Sequence, residues 1–126
     1  MQGRHGVALA AALGLVAVGF GAFAAHGLEA AGDSRAALWV ETGSRYQLAH
    51  AVAIIAVIAW RGASSLVVPL WASGTVLFSG SLYALALGAP PGMAMFAPVG
   101  GAALLLGWAA LIWQALRDQG RGQAPR

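Results

Sequence analysis

Cysteine is absent from this chain of 126 residues, and so is lysine. Without cysteine there are no disulfides, thiolate metal sites, cysteine-ligated iron–sulfur clusters or c-type haem attachment. Without lysine, seven arginines face four acids, giving a formal charge of +3. Charge of either sign is scarce: 9% of residues are charged, against about 25% in an ordinary soluble domain. No basic patch is interleaved with aromatics, so a nucleic-acid partner is not expected. No acid lies between Leu66 and Leu116. G-x-S-x-G, a phosphate-cradling glycine loop and paired intramembrane carboxylates are all missing. Neither an enzyme nor a cofactor is therefore expected.

What the chain does contain is apolar surface, at 60% of residues. A soluble protein this small could not hide so much, because small domains have little interior. The apolar residues fall into four blocks, Gly6–Ala25, Tyr46–Trp60, Leu66–Gly88 and Met93–Leu116. Crossing a hydrocarbon core of about 30 Å takes roughly 20 helical residues. Three blocks reach that length, and Tyr46–Trp60 reaches it if Thr42–Arg45 continues the helix. The expected fold is an all-α membrane protein, a four-transmembrane-helix antiparallel bundle formed by residues 1–116. Residues 117–126 read as a polar cytoplasmic tail. Arg4, His5 and the Ala22-Phe23-Ala24 pattern resemble a signal peptide, but the run is long for one and reads as the first span.

Between the first two blocks, Gly27–Arg45 is polar. Asp33-Ser34 can cap a helix starting near Arg35, and Arg35–Thr42 reads as a short interfacial helix with Trp39 at headgroup depth. Arg61–Ser65 and Ala89–Gly92 read as turns, the second enforced by Pro90-Pro91. With four spans, Arg4, Arg61, Arg117, Arg121 and Arg126 share one side, and Arg35 and Arg45 lie opposite with three acids. Five arginines against two predict a multi-pass protein with both termini in the cytoplasm, or in the matrix of an organelle. Trp60, Trp71, Trp108 and Trp113 lie near the predicted boundaries or a turn or two inside them.

Helices in lipid associate through close packing, which small residues permit. Ala17, Gly21 and Ala25 form one such seam, Gly80, Ala84 and Gly88 a second, and Ala103 with Gly107 a third. These seams predict close packing within the bundle and a possible homo-oligomer or larger membrane complex.

Polar residues inside a bilayer call for two readings each. His26 ends the first span, and His50 sits about one turn into the second beside Tyr46 and Gln47. Adjacent antiparallel helices would bring the two imidazoles near each other on the outer side. They then form a titratable pair, a metal or haem site, or two structural hydrogen-bond groups. Glu41 is the expected partner of His50, and Arg45 of Glu41 at i, i+4. No metal signature spacing is present. In the third block Thr75, Ser79 and Tyr83 are spaced by four, with Ser81 beside them. The stripe reads as helix glue, or as a polar track for a small solute or proton.

Four motifs stand together: Gly21-Ala22-Phe23-Ala24-Ala25-His26-Gly27-Leu28, Tyr46-Gln47-Leu48-Ala49-His50-Ala51, Phe78-Ser79-Gly80-Ser81-Leu82-Tyr83, and Pro98-Val99-Gly100-Gly101 followed by Gly107-Trp108. In order and spacing the chain resembles the YgdD-type family of small bacterial inner-membrane proteins, a domain of unknown function with mitochondrial relatives. The resemblance covers roughly Gly14 to Trp113. It departs at Ala24, where glycine is expected, and at Ala97, where a polar residue is expected. It implies a four-helix membrane protein without an established activity. It singles out His26, His50, Ser79, Ser81, Tyr83, Gly100, Gly101 and Trp108 as positions of interest.

Overall fold

The computed structural model describes residues 2–122, and every regular element among them is helical. Helix α1 spans Gln2–Phe23 and passes into a π-helical turn, Ala24–Leu28. Helix α2 spans Ser34–Arg61, α3 spans Val67–Ala86, and α4 spans Phe96–Gly122 behind a 3₁₀ turn at Pro91–Met95. Three stretches, Gly3–Leu28, Val67–Ala86 and Pro91–Gly122, are long and apolar enough to cross a membrane. α2 is not among them. Its C-terminal half is apolar, but Arg35, Glu41 and Arg45 lie in its N-terminal half.

The expected short interfacial helix is not an element of its own. Asp33 caps α2, its carboxylate accepting from the Ala36 amide at 3.1 Å, and Arg35–Thr42 is the first two turns of the same continuous helix. No proline interrupts the segment, so the i→i+4 ladder runs on into the apolar block. Residues 117–122 of the expected polar tail extend α4 as helix. Leu116, Arg117, Asp118 and Gln119 tolerate helix well, apart from a modest cost at Asp118, and no proline intervenes before Gly122. The rest of the expected tail, 123–126, lies outside the described residues.

The helices pack in chain order. α1 lies against α2, α2 against α3, and α3 against α4; among the described residues α1 makes only a slight contact with α3 and none with α4. The four helices thus form an open layer, in which α1 and α4 do not meet. α2 and α3 form its middle, while α1 and α4 each keep a long lipid-type face: Leu15 and Val18 on one, Leu105, Leu106, Ile112 and Leu116 on the other. One core joins all four helices around Ala10, Ile54, Val57, Val67, Trp71 and Leu104. A smaller one gathers Ala24, Val40 and Tyr83 with Phe20 and Leu28, where the Phe20 and Tyr83 rings stack at 3.9 Å.

The small residues sort unequally. Ala17 is fully buried, and a methyl group on Gly21 would fall 2.9 Å from the Ser44 hydroxyl. Ala25 is exposed, and Ala24, which takes up the start of the π turn, is buried in its place. The α3 seam is not a seam. Gly80 faces open space, Ala84 is only half-buried, and Gly88 forms a turn at φ +93° that suits glycine. The tightest α3–α4 approach is instead at Gly74 and Gly100. A methyl group on Gly100 would collide with the Phe78 backbone and lie 2.7 Å from the Gly74 carbonyl oxygen. Gly107 leaves room for the Trp71 indole, which a methyl group would meet at 2.5 Å, whereas a methyl group on Gly101 would make only ordinary contact with Phe78. Ala103 packs on Gly74.

Candidate functional site: a hydrogen-bonded seam around His50 and Gln47

α2 carries polar side chains on two faces. Ser44 and Gln47, three apart and so on one face, point at α1. The Ser44 hydroxyl donates to the Ala17 carbonyl at 2.6 Å, and the Gln47 Nε2 donates to the Leu13 carbonyl at 2.7 Å. Across α2, the Tyr83 hydroxyl of α3 donates to Gln47 Oε1 at 2.8 Å. Gln47 thereby joins three helices through both ends of one amide. One turn away the Ser79 hydroxyl donates to the Gly43 carbonyl at 2.7 Å. Gly43 permits this, because a methyl group there would fall 2.8 Å from the Tyr83 ring and 3.4 Å from Ser79.

His50 is buried, at 5% exposure. Its Nδ1 lies 2.7 Å from the Tyr46 carbonyl oxygen, and its Nε2 lies 3.1 Å from the Trp108 Nε1 of α4. An indole N–H only donates, so His50 Nε2 is the acceptor and the proton sits on Nδ1, which donates to Tyr46. The ring also meets Trp71 edge-on at 5.6 Å. Trp71 is fully buried, and its indole N–H donates to the Leu104 carbonyl at 3.2 Å. Trp60 and Trp113 keep exposed rings.

The imidazoles do not approach each other. Gln47 is level with Leu13, and Gly21 with Ser44. His26 therefore lies beyond the level of Val40, while His50 is one turn past Gln47. From Leu13 to His26 is 26 − 13 = 13 residues, about 20 Å along a helix. Sequence position placed His50 near a helix end; the twelve residues that α2 gains before Tyr46 (Ser34 to Arg45) put it mid-helix instead. His26 is exposed on the π turn. Glu41 is not the partner of His50: it pairs with Arg45 at 2.8 Å on the exposed face. The described residues contain no group of three or more His, Asp or Glu side chains able to hold a metal ion. The two-imidazole haem or metal geometry is likewise not formed.

Of the Thr75–Ser79–Tyr83 stripe, Ser79 and Tyr83 bond to α2. Thr75 is buried with no partner for its hydroxyl among the described residues. Ser81 donates to the Phe78 carbonyl of its own helix at 2.8 Å, the local bonding that hydroxyls adopt in lipid. A polar track of free groups is therefore not what these side chains make. Beside them, α2, α3 and α4 leave a side-opening hollow of about 460 Å³ walled by Tyr46, His50, Phe78, Pro98, Gly101 and Trp108. A second hollow, of about 300 Å³, shares Trp108 with it and reaches Trp60 and Leu111.

Sequence reasoning missed Ser44, Trp71, Ser65 and Gln114. Ser65 donates to Gln114 Oε1 at 3.0 Å, tying the α2–α3 turn to α4 beside the Arg61–Asp118 ion pair. Ser44 was detectable, lying three residues before Gln47 on the same face. The Trp108–His50 bond was not, because 58 residues separate the partners.

Long apolar helices joined by polar groups that face one another define an all-helical integral membrane protein. The chain belongs to the protein family of unknown function DUF423, whose model matches residues 20–101. It is 37% identical to a UPF0382 membrane protein of Haemophilus influenzae over 115 residues, covering 88% of this chain and 93% of that protein. It is 37% identical to the UPF0382 inner membrane protein YgdD of Escherichia coli (strain K12) over 127 residues, covering 97% of each. A UPF0382 membrane protein of Staphylococcus epidermidis is 36% identical over 120 residues, covering 90% of this chain and 97% of that one. No solved structure matches the chain significantly.

Proposed function

We propose that this is a non-enzymatic, structural or accessory protein of the bacterial inner membrane. Its uncovered α1 and α4 faces pack against another membrane helix, in a second copy or in a larger complex. The observation that carries this is the open layer. α1 and α4 end it on either side without meeting, while the buried polar side chains within it, Thr75 apart, are turned inward and hydrogen-bonded. In lipid, apolar faces gain little by hiding from solvent, so such faces associate through shape.

In this reading all four helices span. α2, at 28 residues, would be about 42 Å long, enough to cross with its charged first turns among the headgroups. The arginine distribution supports both termini on the cytoplasmic side, and the name of the Escherichia coli relative supports the inner membrane. The alternative, a solute or proton carrier, needs polar groups free to exchange partners. Thr75 alone of the stripe has that freedom, and no acid accompanies it.

Native mass spectrometry of the protein ejected directly from membrane fragments tests the reading. The expected result is a multiple of the 12.7 kDa chain or a heteromeric mass. A bare monomer at native expression would overturn it.

A further inference from the structure

The basic end of the molecule carries an ordered element that composition alone did not suggest. α4 continues as helix through Gly122, so Trp113, Arg117 and Arg121, four residues apart, form one column on a single face. At 27 residues α4 is about 40 Å long, some 10 Å more than a hydrocarbon core. Leu116 is its last apolar residue, so the excess puts Arg117 and Arg121 at the depth of lipid phosphates. Trp113 is exposed at 57%, facing outward where a lipid would lie. The Arg117 guanidinium stacks on its indole at 4.6 Å. Stacking occupies the flat face of a guanidinium and leaves its edge N–H groups free to fork onto a phosphate. Neither Arg117 nor Arg121 has a carboxylate partner among the described residues, since Asp118 is engaged by Arg61. Arg4 is exposed at the same end.

We propose that the Trp113–Arg117–Arg121 column is a binding site for the phosphodiester headgroup of an anionic phospholipid in the leaflet into which α4 projects. Charge complementarity selects the occupant, and the ordered helix distinguishes a site from the diffuse attraction of a flexible basic tail. The indole supplies the interfacial anchor, and the two guanidinia supply the donors.

The test is native mass spectrometry of the full-length protein in detergent titrated with phosphatidylglycerol or phosphatidylcholine of equal chain length. Wild type should retain phosphatidylglycerol preferentially. Each of Arg117→Gln and Arg121→Gln should lower that preference about fivefold, from roughly 1 kcal/mol per arginine near an anionic surface. Arg4→Gln, on another helix and outside the column, should leave most of it. Equal losses for all three variants would reduce the effect to general charge, and no preference in wild type would remove it; either overturns the proposal. Inorganic phosphate at matched ionic strength should not displace the lipid, and displacement would show a free-phosphate site instead. Circular dichroism of each variant confirms that the helices remain.

Discussion

Gly100 and Gly80 show how differently two glycines serve the same chain. Gly100 sits where α4 touches the backbone of α3, and neither side can yield without moving a helix. Gly100→Ala is expected to lower stability by about 1–3 kcal/mol, the range for overpacking a filled site, read as a drop in the thermal midpoint in detergent. Gly80→Ala meets nothing within 4 Å and should stay within about 0.5 kcal/mol of wild type. At His50 the chemistry of its neighbours decides the tautomer. Nitrogen NMR of ring-labelled protein should find the proton on Nδ1 and a bare Nε2. A proton on Nε2 would contradict the Trp108 bond, because the indole cannot accept. Spacing-based reading of single residues was strongest where partners lay within one helix, as for Glu41 and Arg45. It failed for the cross-helix partner of His50, because the Trp108 bond depends on where α4 lies.

At the scale of elements, the apolar blocks and the proline-marked turn were legible, because block length and helix breakers are local properties. The continuity of α2 was less so. Its polar first turns carry none of the periodicity that marks a span, and only the Asp33 cap and the lack of a proline indicate one helix. Thr42→Pro should therefore cost about 3 kcal/mol in a chemical denaturation series, whereas a true hinge at that point would tolerate it. The pairing of helices was also hidden: the small-residue seam expected on α3 at Gly80 is displaced to Gly74, and Gly43 of α2 receives Tyr83 and Ser79. The Gln47–Tyr83 bond holds α2 to α3. A double-mutant cycle with Gln47→Leu and Tyr83→Phe should give a coupling near 0.6 kcal/mol and below about 1.7 kcal/mol, as for other hydrogen bonds between membrane helices. A coupling of zero would mean that the bond does not hold the pair together.

For the whole molecule, the central claim is that the outer faces of α1 and α4 are covered in the membrane by other helices. The absence of cysteine makes this directly measurable, since any introduced thiol is the only one. Val18 on α1 and Leu106 on α4 are each 60% exposed. Val18→Cys and Leu106→Cys, expressed at native level and treated in intact membranes with a short bifunctional thiol reagent or an oxidant, probe those faces. The reagent probes pairing with a second copy, and a photoactivatable thiol-attached probe extends the same measurement to partners without cysteine. Covalent adducts are expected from these positions, at twice the chain mass or at the summed mass of the chain and a distinct partner. Unmodified monomer from both positions, with the thiols shown to be labelled, would contradict it.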